Sequence, residues 1–231
     1  MKKITKLADY ENKTVKDAAK NIFKTGDSDR KKIEKIFYFV RDEIKFGLPG
    51  KGDLMKASET IESGTGQCNT KSTLFLALCK TAGIPARIHF SLIRKDIQKG
   101  VFTGFAYQMM PDKISHSWIE VQIDGNWIKI DSFINDKSFY EAGKQLLRKQ
   151  NWDTGYSISC SNGESSADFN IDKEKFVQMD AVTDDHGVWN EPEEYYSSYL
   201  YKNRPGFMKL LLYRLIIPRI NRNVEKMRNS C

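Results

Sequence analysis

The feature that most constrains the fold is an apolar run directly behind a glycine-containing loop. The loop, residues 64–69, reads Gly-Thr-Gly-Gln-Cys-Asn, and residues 74–78 read Leu-Phe-Leu-Ala-Leu. A helix over about residues 68–81 would be apolar on most sides after its first turn, as is typical of a buried helix. The sequence therefore predicts a central helix, ended by Gly83-Ile84-Pro85, around which the other elements pack.

Helical periodicity precedes this helix, and strand alternation follows it. Residues 28–46 carry one apolar face behind Ser28, a capping residue. Residues 87–93 and 115–123 alternate as strands, and Asp124-Gly125-Asn126 predicts a hairpin into a partner strand over 127–131. The remaining stretches are predicted as helices over 138–149 and 191–201, a loop or ragged strand over 94–112, and irregular structure over 151–172.

Composition indicates a globular protein and free thiols. Of the 231 residues 40% are hydrophobic and 29% charged, which excludes wholesale disorder and fits one large domain with an appendage. The basic N-terminus has no apolar run behind it, and no stretch approaches the length of a membrane span, so we expect neither a signal peptide nor a spanning helix. The four cysteines lack zinc-type or CxxC spacing, which favours a cytoplasmic protein.

The positive charge is concentrated at the C-terminus. Residues 202–231 contain eight Lys or Arg and one Glu, so they account for the whole formal net charge of +7. The neutral remainder gives no reason to expect a nucleic-acid partner. We predict a main domain over 1–200 and a basic amphipathic helical extension over 201–231, interrupted by Pro218.

The extension has an apolar stripe with three alternative uses. At spacings of three and four it contains Leu210, Tyr213, Ile217, Ile220, Val224 and Met227. Such a stripe can pack on its own domain, pair with another protein, or lie in a membrane interface with the basic residues towards anionic headgroups. Peripheral membrane association through residues 205–231 is one hypothesis.

Three residues from separate segments suggest covalent catalysis. Cys68 stands at a helix N-terminus, where unpaired backbone N–H groups favour thiolate. The hairpin brings His116, at the start of one strand, close to a position opposite Asp131, at the end of the next. A thiol nucleophile, an imidazole base and an orienting carboxylate together form the general arrangement for acyl chemistry. A zinc site built from the same three residues lacks a clear fourth ligand.

The sequence around these residues resembles the transglutaminase-like superfamily. The motifs are Gly66-Gln67-Cys68, Ala82 through Arg87, His116 through Val121, and Trp127 through Asp131, within residues 30–135. The resemblance implies a papain-like α+β fold, with the Cys68 helix packed on an antiparallel sheet that carries His116 and Asp131. It also implies thiol chemistry on amide or acyl bonds of a protein or peptide substrate, without a metal or cofactor.

One departure from the family pattern affects the expected reaction. Animal-type transglutaminases have a tryptophan upstream of the cysteine that helps to hold the oxyanion, whereas the first tryptophan here is Trp118. The Gln67 side chain, with the Cys68 backbone N–H, is the nearest alternative oxyanion donor. Hydrolysis by a peptidase- or amidase-like member is therefore favoured over transamidation. A catalytically silent binding module is the alternative from another class.

Other polar and aromatic residues have weaker functional interpretations. Trp118, His186 and Trp189 are candidate substrate-cleft residues, although 186 and 189 also fit an ordinary turn before a helix starting at Pro192. His89 fits a structural role in a strand. Of the other cysteines, Cys79 fits the core, and Cys160 and Cys231 fit incidental thiols.

Overall fold

The structure is a computed structural model that describes residues 6–160, 165–170, 176–204 and 206–229. Its α-helices are α1 (Lys13–Ile22), α2 (Asp29–Tyr38), α3 (Ala57–Ser63), α4 (Cys68–Thr81), α5 (Gly104–Gln108), α6 (Lys137–Gln150), α7 (Pro192–Ser197) and α8 (Phe207–Arg228). Its strands are β1 (Lys45–Phe46), β2 (Thr65–Gly66), β3 (Ala86–Arg94), β4 (Lys113–Ile123), β5 (Asn126–Ile130), β6 (Thr154–Gly155), β7 (Ile158–Ser159) and β8 (Val182–Trp189).

The main sheet is antiparallel and has two chemically different faces. Its strand order is β5-β4-β3-β8. On the face that packs against α4, here called the helix face, lie the core residues Ile88, Phe90, Ile119 and Val121. Because side chains alternate along a strand, the residues between them point to the opposite, far face. The far face contains His89, Ser91, His116, Trp118 and Glu120.

Helix α4 is buried as its sequence predicts. Every residue from Cys68 to Cys79 is buried. The Gln67 side chain caps the helix by accepting from the Asn69 N–H, and Thr70 Oγ1 accepts from the Gln67 N–H in return. These reciprocal bonds fix the first turn of α4 in position.

The predicted helix over 28–46 is wrong at its C-terminal end. Helix α2 ends at Tyr38. A π-helix over Phe39–Glu43 follows it directly, and Ile44 is extended. The cause is tertiary: Lys45 donates its N–H to the Gly64 carbonyl, and β1 pairs in parallel with β2. The pairing holds β2, the short strand before α4, beside β1, which follows the π-helix.

Two further regions differ from the sequence prediction. Residues 182–189, predicted as a turn or cleft loop, form edge strand β8 beside β3, with a bulge near Ser91 and Gly187 at φ +75°. Their side chains are only half-buried or exposed, so the apolar alternation that reveals a buried strand is missing. The stretch 94–112 contains a 3-10 turn, Lys95–Gln98, and the short helix α5.

Helix α8 runs without interruption through Pro218, contrary to prediction, and packs on the domain. Pro218 lies on the exposed side, where the loss of one N–H is tolerated. Ile217, Ile220 and Val224 join the core on the inner side. Among the described residues, no helix is long and apolar enough to cross a membrane. The division of the chain at residue 200 stays a prediction.

Side chains near the end of α8 tie it to the domain. Asn221 accepts from the Leu48 N–H at 2.8 Å and donates to the Leu48 carbonyl at 2.9 Å. Arg228 Nη2 lies 2.8 Å from Asp136 Oδ2, and the Asp136 side chain is fully buried. Burial opposes ionisation of Asp136, but the hydrogen bonds and charge of Arg228 outweigh it and lower its pKa.

A buried lysine ties α4 to two neighbouring segments. Lys71 is fully buried, and its Nζ donates to the carbonyls of Arg41 at 3.2 Å and Ile134 at 2.9 Å. Burial lowers the pKa of Lys71 to about 7, because an ammonium group is costly in a site of low polarity. The folded protein thus binds this proton more weakly than the unfolded chain.

We predict that Lys71 makes the free energy of unfolding rise with pH above 7. Between the folded pKa near 7 and the unfolded value of 10.5, the unfolded chain binds more protons, so raising the pH favours the folded state. From pH 7 to 9, wild type should gain about 2 kcal/mol relative to Lys71→Met in urea unfolding. The exposed variant Lys149→Met should follow wild type. Parallel profiles for wild type and Lys71→Met would contradict the prediction.

We predict that Arg228→Met destabilises the protein by about 3–5 kcal/mol, because it leaves the Asp136 carboxylate buried without its cation. Arg222→Met makes the same chemical change on the exposed side of α8 and should change the free energy of unfolding by less than about 0.5 kcal/mol. Chemical denaturation of both variants measures the difference. Equal losses would show that the buried pair is not what holds the end of α8.

Candidate active site

Cys68 is the first residue of α4 and its thiol is held by the capping residue. Its Sγ donates to Gln67 Oε1 at 2.9 Å and lies 4.0 Å from the Ser115 carbonyl of β4. Position 66, two residues before Cys68, requires glycine, because a Cβ there would lie 2.8 Å from Lys71 Cγ and 2.9 Å from Thr70 Oγ1. The loop before Cys68 therefore packs closely against the first turn of α4.

Gln67, the predicted oxyanion donor, is positioned by the half-buried carboxyl group of Asp53. Gln67 Nε2 donates to Asp53 Oδ1 at 2.7 Å, so its amide group points towards Asp53 and its carbonyl oxygen towards the thiol. Tyr201 donates its hydroxyl to the other oxygen of Asp53 at 2.9 Å. Burial raises the pKa of Asp53. Its role was not visible in the sequence, where it is one acid in a glycine-rich loop.

The Cys68 thiol is enclosed. The residue is only 9% exposed. The charge of Cys68 is among the causes that raise the pKa of buried Tyr196, buried Tyr201 bonds to Asp53, and a Cβ on Gly52 would lie 3.9 Å from the Tyr213 ring of α8. Burial, followed by the charges of Asp53 and Cys68, raises the pKa of Tyr213. These three tyrosines, called here the tyrosine cover, come from α7, the segment after it and α8.

The expectation that the helix N-terminus favours thiolate is wrong for this enclosed arrangement. Burial raises the pKa of Cys68, and the charge of Asp53 adds to that effect. The Asn69 N–H at the start of α4 lowers it, but by less. Desolvation thus outweighs the helix N-terminus, and the thiol is protonated at neutral pH.

His116 is buried on the far face of the sheet. Its ring lies 5.9 Å from that of Trp118, centroid to centroid, and Trp118 stacks on His89 at 4.1 Å. Both ring nitrogens of His116 are buried without a hydrogen-bond partner among the described residues. Burial, with a contribution from the charge of His89, lowers the pKa of His116 to about 3. The imidazole is therefore neutral.

Asp131 follows β5 and is held by backbone groups. It is fully buried and accepts from the Val177 N–H at 3.0 Å and the Gln178 N–H at 3.3 Å. Burial raises the pKa of Asp131 to about 7, although these hydrogen bonds act in the opposite direction. The β4–β5 pairing ends at Ile119↔Ile130.

The hairpin register around the candidate catalytic residues differs from the predicted one. Extending the β4–β5 register places Trp118, not His116, opposite Asp131, so the predicted pairing is displaced by two residues. Cys68 Sγ contacts the Ser115 backbone carbonyl, and strand alternation places His116 on the far face together with Trp118. Within the residues that the structure describes, no hydrogen bond joins Cys68 to His116 or His116 to Asp131.

The predicted cleft residues lie in the sheet rather than against the thiol. Trp118 is buried in its stack with His89. His186 Nδ1 lies 3.0 Å from the Tyr195 hydroxyl, and Trp189 donates its indole N–H to the His186 carbonyl at 3.0 Å. Contact of these side chains with a substrate stays a prediction.

His89 has the structural environment expected of it. Its Nδ1 lies 2.7 Å from Glu120 Oε1 and its Nε2 lies 2.6 Å from Asp185 Oδ1. Burial opposes protonation, but the two carboxylates outweigh it and raise the pKa of His89. The two acids come from β4 and β8, so nothing local in the sequence indicates their meeting. Of the other cysteines, Cys79 is in the core, Cys160 is half-buried, and Cys231 lies outside the described residues.

Solved structures similar to this chain include two proteins from bacteria of different genera. One is a candidate cysteine protease from Cytophaga hutchinsonii, at 14% identity and a TM-score of 0.47 over 81% of this chain and 45% of that one. The other is a candidate protease from Parabacteroides distasonis, at 14% identity and a TM-score of 0.37 over 54% of this chain and 25% of that one. The chain thus spans less than half the length of either. Comparison with curated proteins found no match.

A family model identifies the chain more clearly. The model of the transglutaminase-like superfamily matches residues 16–132, just over half of the chain, from α1 to the residue after Asp131. The match includes the helix that begins with Cys68 and the strands around His116. It confirms the predicted α+β fold, in which a buried helix packs on an antiparallel sheet. The chain therefore belongs to the transglutaminase-like superfamily.

Proposed function

We propose that this protein is a thiol enzyme that attacks an amide or acyl carbonyl through Cys68 and releases the product by hydrolysis. The family match supports the proposal, since it spans Cys68, His116 and Asp131 in that order. The observation that carries it is the buried His116, whose two nitrogens have no partner in the part of the chain that the structure describes. A structural histidine normally satisfies its nitrogens, because a buried unpaired polar group costs about 1–3 kcal/mol.

In the proposed reaction, His116 takes the proton of the Cys68 thiol and the thiolate attacks the carbonyl carbon. The resulting oxyanion collapses to a thioester as the amine leaves with the proton from His116. Water, deprotonated by His116, then attacks the thioester and returns Cys68 as the leaving thiolate. Asp131 would orient the imidazole and stabilise its charged form.

The proposal requires the resting conformation to change. The Cys68 thiol must become more accessible, and His116 must come within hydrogen-bonding distance of it, since no hydrogen bond joins the two among the described residues. The raised pKa of Asp131 is consistent with a resting state, since a protonated carboxyl group cannot stabilise an imidazolium. Transamidation uses the same first half-reaction. In its second half, an amine attacks the thioester in place of water.

The enclosed thiol also favours a second candidate, a catalytically silent binding module. A protonated cysteine that lacks an engaged base is the arrangement expected of a member that no longer turns over. Turnover of a peptide substrate separates the two candidates, because the hydrolase cleaves it and the silent module does not.

We predict that iodoacetamide at neutral pH labels native Cys68 at least about tenfold more slowly than Cys68 in the unfolded chain, because burial and a raised pKa both lower its reactivity. The half-buried Cys160 should react sooner in the native protein. Peptide mapping after timed quenching measures each site. Rapid labelling of native Cys68 would show that the enclosed state is not the resting state.

We predict that Cys68→Ala abolishes cleavage of a glutamine-containing peptide pool, with a loss of at least about 1,000-fold, and that His116→Ala loses about 100-fold or more. Cys160→Ala is the matched control and should keep wild-type activity. Mass spectrometry with a primary amine present separates hydrolysed from amine-modified products. Unchanged turnover by Cys68→Ala would refute the thiol mechanism, and absence of turnover by wild type would favour the silent module.

A further inference from the structure

The first half of α8 exposes a row of large apolar side chains. Their exposed fractions are Met208 67%, Leu211 48%, Leu212 55%, Leu215 72% and Ile216 37%. The spacings of three and four place them on one side of the helix. Five such residues in one row are unusual on a soluble surface, where single exposed apolar residues are the rule.

This row cannot be buried by a simple roll of α8. Ile217, Ile220 and Val224 occupy the opposite side and belong to the core. Asn221 and Arg228 also hold the helix to Leu48 and Asp136. The exposed row is therefore the outward side of a helix fixed at its other end.

The same side becomes cationic in the second half of the helix. Arg219, Arg222 and Lys226 are exposed and, at 3.6 residues per turn, continue the line that starts at Met208. None of the three forms an ion pair with a residue that the structure describes. Glu225, the acid of this segment, pairs with Arg228 instead. We call the five apolar and three basic residues the outward row.

We propose that the outward row docks the protein on an anionic lipid surface. The apolar half would enter the boundary between headgroups and acyl chains, and the three cations would contact anionic headgroups. Charge complementarity favours lipid over a second copy of the chain, because the outward row contains no carboxylate to meet its own cations. An acidic protein would match the cations, but would leave five apolar side chains without a function.

Flotation with vesicles tests the proposal on the full-length protein. Wild type should float with phosphatidylcholine vesicles containing phosphatidylglycerol, but not with phosphatidylcholine alone, and added salt should weaken its binding. Arg219→Glu combined with Arg222→Glu should lower partitioning about tenfold or more. Leu212→Glu combined with Leu215→Glu should also lose binding. These residues are exposed, so the thermal unfolding midpoint should stay close to that of wild type.

The matched control places the same charge change elsewhere. Lys13→Glu combined with Lys24→Glu reverses two exposed lysines at the two ends of the α1 region and should float like wild type. Equal loss in this control and in the Arg219/Arg222 variant would reduce the effect to net charge and overturn the proposal. Failure of wild type to float with anionic vesicles would overturn it as well. A dimer in light scattering that Leu212→Glu/Leu215→Glu dissolves, without vesicle binding, would assign the row to a second copy.

Discussion

The burial of α4 on all sides is the constraint on which the rest of this fold depends. A helix without a solvent side must be enclosed by other elements, and its polar groups must find partners inside the protein. Lys71 is an example of such a buried polar group: its Nζ donates to one carbonyl in the π-helical segment and to one after β5. Ser72 likewise donates to the Ser117 carbonyl of β4. These bonds align the helix with the sheet and fix the position of its first turn, where Cys68 lies.

The chemistry of the site follows from the same burial. At the first turn of α4, desolvation outweighs the backbone N–H groups, so Cys68 keeps its proton. Across the sheet, His116 is neutral with both nitrogens unpaired. Each group is stored in its uncharged form, and each needs the other for charge to be stabilised.

Local pattern could predict those elements whose stability is encoded locally. The uniform apolar run gave α4, and strict alternation with a two-residue turn gave β3, β4 and β5. Strand β8 was missed because its side chains are half-exposed and its partner lies far away in the sequence. The end of α2 was misplaced because β1 pairs with β2, a choice made by tertiary contact.

The sequence could propose candidate site residues but not their arrangement. Helix position and residue order singled out Cys68, His116 and Asp131, whose catalytic roles stay a prediction. The two-residue offset of β4 against β5 and the face on which His116 lies depend on register, which a one-residue shift reverses. Asp53 and the tyrosine cover could not be found, since they meet Cys68 only through folding.

The enclosure of Cys68 has a consequence for the chemical durability of the protein. Peroxides oxidise thiolates much faster than thiols, and they must reach the sulfur to do so. A protonated, almost fully buried sulfur that is bonded to Gln67 meets neither requirement. The half-buried Cys160 would be oxidised before it. Burial of Cys68 thus protects its sulfur from oxidation in the folded protein for as long as this conformation persists.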